Sequence, residues 1–345
     1  MENLPSNLKQ YERPNIKERM PWLDCIKGLM MILVMLSHMN VPMQVKIAFE
    51  PFFLSLFFVV SGYTFNVKDS FTVFLTNKIR TLVIPAFGLA LIQIAASSIL
   101  TFNEQEPIQK QLIELIVQNG GQGSKMWFVF ALFMCCVCFY VLVKYIKNTI
   151  IFISGSVGGL IIGLVYNYSG GQSLSWHIHL VGIGCFWMAL GFIWRIYNQY
   201  NVDAECNRVR IINWIMITCC VGYIALIIVH CYEWREWLVS FRVFDAPIWL
   251  YLMESFLGTI MMFYFLKNRS TIRFVELIGQ NTLVFFAFHG KVQRIGEVML
   301  TRLHVVNAIQ IPIILITQCV VLIVVSYVID KWFPFLVGKR YEKNS

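Results

Sequence analysis

Charged side chains are scarce in this chain. Asp, Glu, Lys and Arg make up 14% of its 345 residues, hydrophobic residues 58%, and mean hydropathy is +0.65. A chain of this length folding in water needs polar surface for one or two domains, and too little is present to cover them. That deficit excludes a soluble protein and leaves lipid as the solvent for most of the exterior. Zinc-type ligand spacing is also missing. The ten cysteines fall mostly within apolar runs, as Cys135, Cys136, Cys138, Cys219 and Cys220 do, where a thiol acts as a small hydrophobe. Neither a metal site nor a disulfide framework is expected. There is no internal repeat, low-complexity tract or second soluble domain. Nor is there a basic patch interleaved with aromatics, so the net charge of +9 does not point to nucleic acid.

Apolar runs of roughly 17 to 25 residues, the length that crosses a bilayer core as helix, are what the sequence has instead. Ten can be counted: about Trp22 to Asn40, Glu50 to Asn66, Arg80 to Thr101, Met126 to Tyr145, Thr149 to Asn167, His177 to Tyr197, Ile211 to His230, Pro247 to Leu266, Phe274 to Lys291 and Ile309 to Asp330. The expected fold is an all-α integral membrane protein, one bundle of about ten transmembrane helices. Residues 1–21 and 331–345 would be tails. No small-residue cleavage site follows the first run, so it reads as a retained span.

Loop charge supplies a direction, because cytoplasmic segments collect Lys and Arg. With the N-terminus inside, nineteen of the 28 basic residues lie on the cytoplasmic side, in the arm carrying Lys9, Arg13, Lys17 and Arg19, at every even junction and at the C-terminal end. Eight lie on the other side, and Lys27 falls within the first run. Both termini are therefore expected in the cytoplasm. The longest outer loop contains an amphipathic stretch from Ile108 to Val117. It fits a helix lying on the membrane surface or over a site, and equally a solvated connector.

Function should reside in the polar groups that lipid would otherwise exclude. The first run, PWLDCIKGLMMILVMLSHMN, is richest in them. Asp24 and Lys27 are three apart and meet on one helical face. His38 follows Lys27 by almost three turns, on the same face and about 16 Å further along the axis. An interfacial ion pair explains Asp24 and Lys27 without any chemistry. His38, placed on the face of a buried cation, is a candidate for proton transfer.

These residues also carry a resemblance. WLDCIKGLMMILVMLSH, FFLSLFFVVSGYTF, FLTNKIRTLVIP, MWFVFALF and IGQNTLVFFAFHG, in that order, resemble the acyltransferase family 3 membrane enzymes, most closely the branch typified by fucose 4-O-acetylases. The first piece matches the family's pattern of a base, ten residues and a His, here Lys27 and His38. The resemblance implies transfer of an acyl group, usually acetyl, from cytoplasmic acetyl-CoA to a sugar hydroxyl of an envelope polysaccharide or its lipid-linked precursor, in a bacterial cytoplasmic membrane. His38 would be the base and His289 a second histidine of the site. The family's Arg-x-x-Arg element, associated with the donor, is altered here: its positions hold Lys78 and Thr81, with Arg80 one residue early, and lysine lacks the bidentate fork. Lys27, Lys78 and Arg80 are thus the donor-side candidates, beside ordinary topology-setting charge.

Other polar residues complete the set. Ser61 could serve an oxyanion hole, though Ser61-Gly62 equally suits close helix packing. Trp127 could stack on a sugar, or anchor the interface. Asn281 lies within about 80 degrees of His289 around a continuous helix. Together with Asp24 these are the acceptor-side candidates. Glu254 is a carboxylate in apolar surroundings with no assigned role, and His177, His179, His230 and His304 read as solvated interfacial residues. Two rival functions share the composition: a transporter or flippase for lipid-linked sugars, which would show repeats or broken helices, and a polysaccharide polymerase, which would need larger outer loops.

Overall fold

The computed structural model describes residues 20–67, 69–99, 106–119, 125–200, 207–267 and 271–339. The N-terminal arm with Lys9, Arg13, Lys17 and Arg19 lies outside the described residues, as do Lys68, Arg269 and the last six positions. Regular structure among the described residues is helical, apart from a lone bridge between Val239 and Phe244.

Helix α1 spans Pro21–Ser37. A proline at its start lacks only a donor that would have no partner there, and Asp24 in the first turn complements the helix dipole. A short α2, Met43–Ile47, leads into α3, Glu50–Tyr63, which is buried almost throughout. Ser70 caps α4, Phe71–Lys78, which continues through a π-turn at Ile79–Val83 into α5, Ile84–Ile99. Next come α6, Ile108–Val117, α7, Trp127–Tyr145, and α8, Thr149–Tyr168. A 3-10 turn at Ser175–Leu180 opens α9, Val181–Tyr200, followed by α10, Asn207–Glu233, and α11, Ile248–Leu266. The chain ends with α12, Arg273–Gln280, α13, Thr282–Arg302, α14, Asn307–Trp332, and a 3-10 turn at Pro334–Val337.

Eight helices among the described residues are long and apolar enough to cross a membrane. The other two expected runs depart from that measure. The first forms a helix of only 17 residues that stops just before His38. The ninth is broken at Asn281 into α12 and α13, and α13 continues to Arg302, well past the Lys291 limit read from hydropathy. Residues 334–337 are not part of a loose tail either. They fold back so that Gly338, at φ 72, closes over the backbone of Thr81.

The centre is built on close helix crossings. A Cβ on Gly62 would lie 1.9 Å from the Met188 carbonyl oxygen, and one on Gly191 2.0 Å from that of Val59, so α3 and α9 touch backbone to backbone. Similarly, a Cβ on Gly279 would lie 1.8 Å from the Asp24 carbonyl oxygen, which seats α12 against the first turn of α1. Small residues at such crossings admit the dispersion contact that holds helices together where lipid removes the hydrophobic drive. The periphery is apolar in turn: Ile162 on α8, Ile228 on α10 and Ile316 on α14 are 73%, 63% and 64% exposed. Helix α6 shows the same inversion, with Ile113 and Ile116 outward and Gln111 and Glu114 inward, as suits a helix lying in the membrane interface.

Candidate active site

Helices α1 and α3 are antiparallel neighbours, since Trp22 at the start of one meets Tyr63 at the end of the other with ring centroids 5.5 Å apart. The bundle therefore has a Lys27 end and a His38 end, and the candidate residues divide between them.

At the His38 end, His38 is the C-cap of α1, not a residue within a span, and its side chain is exposed where the chain leaves the helix. Its ring faces that of His289 on α13, with centroids 5.0 Å apart and planes at 35°. His289 is nearly buried. Its Nδ1 lies 3.0 and 3.1 Å from the carbonyl oxygens of Phe285 and Phe286. Carbonyls only accept, so Nδ1 carries the proton and Nε2 keeps its lone pair. Two glutamines hold the pair in place. Gln293, one turn beyond His289, donates from Nε2 to the His38 carbonyl oxygen at 2.7 Å and to Glu297 Oε1 at 2.7 Å. Gln318 on α14 donates to the His289 carbonyl oxygen at 2.8 Å. Both histidines are thus positioned through their backbones, His289 also through its Nδ1, and the His289 Nε2 and the His38 ring remain available.

Trp127 stands at the same end, at the start of α7. The Arg242 guanidinium lies over its indole, 4.4 Å from the ring centroid, and His177 touches its edge at 5.6 Å. Aromatic contacts join this group to the histidine pair: Phe128 stacks on Phe286 at 5.2 Å, and Phe286 meets His289 at 6.0 Å. His177 is not the solvated residue its sequence position suggests. It is fully buried, and with Trp176 it adopts left-handed backbone, φ 55 at both. For side chains of this size that conformation costs about 1–3 kcal/mol per residue and persists only when the surroundings impose it.

At the other end, Lys27 Nζ bonds Asp24 Oδ1 at 2.6 Å, with Asp24 buried and Lys27 partly open. Lys78 lies 6.0 and 5.7 Å from the ring centroids of Phe65 and Phe74. Arg80 falls in the π-turn, a local widening often found at functional positions, and its Nε is buried without a hydrogen-bond partner among the described residues. Ser61 is also at this end, its hydroxyl donating to the Phe57 carbonyl, while Gly62 beside it supplies the close crossing. It does not join His38. Nor does Asn281, whose side-chain amide donates to the Leu277 carbonyl at 2.8 Å and so serves the break between α12 and α13. That break removes the continuous face on which Asn281 and His289 were expected to meet.

Glu254 gains a partner that the sequence did not assign. His230 Nδ1 lies 2.9 Å from Glu254 Oε1, and His230 Nε2 lies 3.0 Å from the Trp237 carbonyl oxygen, with both side chains fully buried. The expected solvated role for His230 is corrected accordingly. This pair ties α10 to α11 and to the loop that carries Arg242.

An acyltransferase-domain family model matches residues 20–331, which takes in every site residue just described. The chain belongs to the acyltransferase 3 family. Its apolar helices make this acyltransferase a multi-pass membrane enzyme, and the transporter and polymerase alternatives are set aside. No curated protein and no solved structure matches the chain. Of the residues that sequence reasoning missed, Gln293 was within reach, since it stands four positions after His289 and one helical turn further on. Arg242 carried no local signal, because only the fold brings its loop onto Trp127.

Proposed function

We propose that this enzyme is an O-acyltransferase, most simply an O-acetyltransferase of the fucose 4-O-acetylase type. It takes the acyl group from cytoplasmic acetyl-CoA and delivers it to a sugar hydroxyl of a bacterial envelope polysaccharide or its lipid-linked precursor. The observation that carries the reading is the His38–His289 pair at the end of the bundle opposite Lys27. With the Lys27 end in the cytoplasm, as the loop charges favour, the charged part of the donor stays near Lys27, Lys78 and Arg80, and the thioester reaches inward. Arg80, whose Nε has no partner among the described residues, and Lys78 are the bases suited to its phosphates.

His38 in its neutral form takes the proton of the acceptor hydroxyl as that oxygen attacks the thioester carbonyl carbon. The tetrahedral intermediate collapses, the carbon–sulfur bond breaks, and the departing thiolate recovers the proton from His38. His289, with Nδ1–H held by two carbonyls, presents Nε2 as an acceptor that stabilises either the hydroxyl before attack or the imidazolium formed on His38. Trp127 offers an apolar face to the sugar ring. Asp24 orients Lys27, and Ser61 and Asn281, engaged with backbone carbonyls, support the fold.

The test is transfer of labelled acetyl from acetyl-CoA to envelope glycan in membrane vesicles containing the wild type or His38→Ala. Label should reach glycan sugars as an O-ester with the wild type and fall to background with the variant. Undiminished transfer by His38→Ala would overturn the mechanism, and wild-type label confined to lipid or protein would overturn the acceptor class.

A further inference from the structure

The loop between α10 and α11 is more than a connector. Ser240 N–H donates to the Val243 carbonyl at 2.7 Å and Asp245 N–H to that of Leu238 at 3.0 Å, so residues 238–245 form a tight hairpin with Phe241 and Arg242 at its tip. Phe241 is fully buried and stacks on Phe58 of α3 at 4.8 Å with planes at 12°, so the tip enters the bundle and does not lie on its surface. The buried His230–Glu254 pair holds the base of the hairpin through the Trp237 carbonyl. This anchoring places the Arg242 guanidinium on the indole of Trp127.

Arg242 has no carboxylate in ion-pairing range among the described residues, and its side chain is exposed beside the aromatic wall that leads to His289. His177 Nδ1 is 3.4 Å from Ser173 Oγ, while its Nε2 is buried with no hydrogen-bond partner among the described residues. The Arg242 guanidinium, with no carboxylate in range, and His177, with its buried Nε2 unpartnered among the described residues, both contact Trp127. Stacking on an indole presents the guanidinium edge to planar or tetrahedral oxygens.

We infer that the hairpin tip and Trp127 form an oxyanion subsite, in which Arg242 binds a carboxylate or phosphoryl group carried by the acyl acceptor. The enzyme accordingly selects acidic acceptors, either acidic sugars or phosphoryl-linked sugars. This inference rests on the proposed function, because the subsite shares a wall with the histidine pair.

The experiment measures binding and needs no turnover. Purified full-length protein in neutral detergent is titrated calorimetrically with pyrophosphate, D-glucuronate and, as the uncharged control, D-glucose. Parallel titrations use nanodiscs of phosphatidylcholine alone or with phosphatidylglycerol. The wild type should bind at least one anion, and more tightly than glucose. Arg242→Gln should weaken that binding by about tenfold or more, the loss of one charge-assisted hydrogen bond. Arg242→Lys should retain part of it, and Arg235→Gln, in the same loop but mostly solvent-facing beside Glu236, should retain all of it. Arg242→Lys also carries the test if the glutamine variant does not fold. Equal anion binding by wild type and Arg242→Gln, or no anion binding by the wild type, overturns the inference. Loss of anion binding in phosphatidylglycerol nanodiscs also overturns it, since the site would then belong to a lipid headgroup. Because His38→Gln should bind the anion like the wild type, loss of acyl transfer with binding intact concerns the catalytic reading alone.

Discussion

Replacing His38 and His289 by Gln, singly and together, asks whether the two rings act as a unit. His38 is exposed, and its structural contact is the carbonyl that accepts from Gln293, so a glutamine at 38 leaves the fold intact. General-base catalysis contributes about a hundredfold to ten-thousandfold, and kcat should fall by that factor in His38→Gln. His289 has a different task. With its Nδ1 proton committed to Phe285 and Phe286, it can offer Nε2 as one charge-assisted hydrogen bond to the reacting pair. Such a bond is worth about 1.5–3 kcal/mol, roughly tenfold to 150-fold in rate. Ring centroids 5.0 Å apart put the two within coupling distance. Once His38 is gone there is no imidazolium for His289 to stabilise, so the double variant should be slower than His38→Gln by less than about threefold, a coupling in the range found for residues in contact. The assay is single-turnover transfer from labelled acetyl-CoA in membrane vesicles, with protein amounts matched by immunoblot. Losses that multiply in the double variant would refute the shared role. More than a tenth of the activity surviving in His38→Gln would refute the base assignment.

Other perturbations follow from the same geometry. Lys27→Ala should raise KM for acetyl-CoA several-fold and leave the acceptor KM unchanged; equal shifts in both would remove the donor-side assignment. Glu254→Ala leaves His230 buried opposite a cavity and should destabilise the protein by about 3–5 kcal/mol, read as a lower unfolding temperature in detergent. Glu254→Gln, which keeps the shape and a hydrogen bond to His230 Nδ1, should lose less, and equal losses would show that the charge, and not the shape or the hydrogen bond, carries the effect. Gly279→Ala puts a methyl 1.8 Å from the Asp24 carbonyl oxygen and should force α12 off α1, which a large drop in folded yield would report, whereas a wild-type yield would contradict the backbone-to-backbone crossing. Gln293→Leu should lower kcat about tenfold by loosening the His38 backbone, with the acetyl-CoA KM unaffected; a raised donor KM and normal kcat would place Gln293 in the donor path instead.

What could be read without coordinates followed from composition and from spacing along single helices. Low charge and long apolar runs require lipid contact, because nothing else solvates such a surface. Lys27 and His38 share a face because helix periodicity places them there, and the pieces around them were enough to mark the family resemblance. Local pattern could not settle where helices stop or what meets across them. Hydropathy ran the first span past His38 and the ninth straight through Asn281, since both ends are apolar enough to continue and only hydrogen bonds decide the break. His230 and Glu254 are 24 residues apart and His38 and Gln293 are 255 apart. Such pairings depend on which helices are neighbours, and glycine crossings between α1 and α12 and between α3 and α9 determine that. The sequence by itself determined a helical membrane protein with a polar stripe in its first helix. Only the tertiary structure set His289 against His38 and drove a hairpin inward to lay Arg242 on Trp127, because contacts between distant segments follow from how backbones pack and not from the order of residues along one of them.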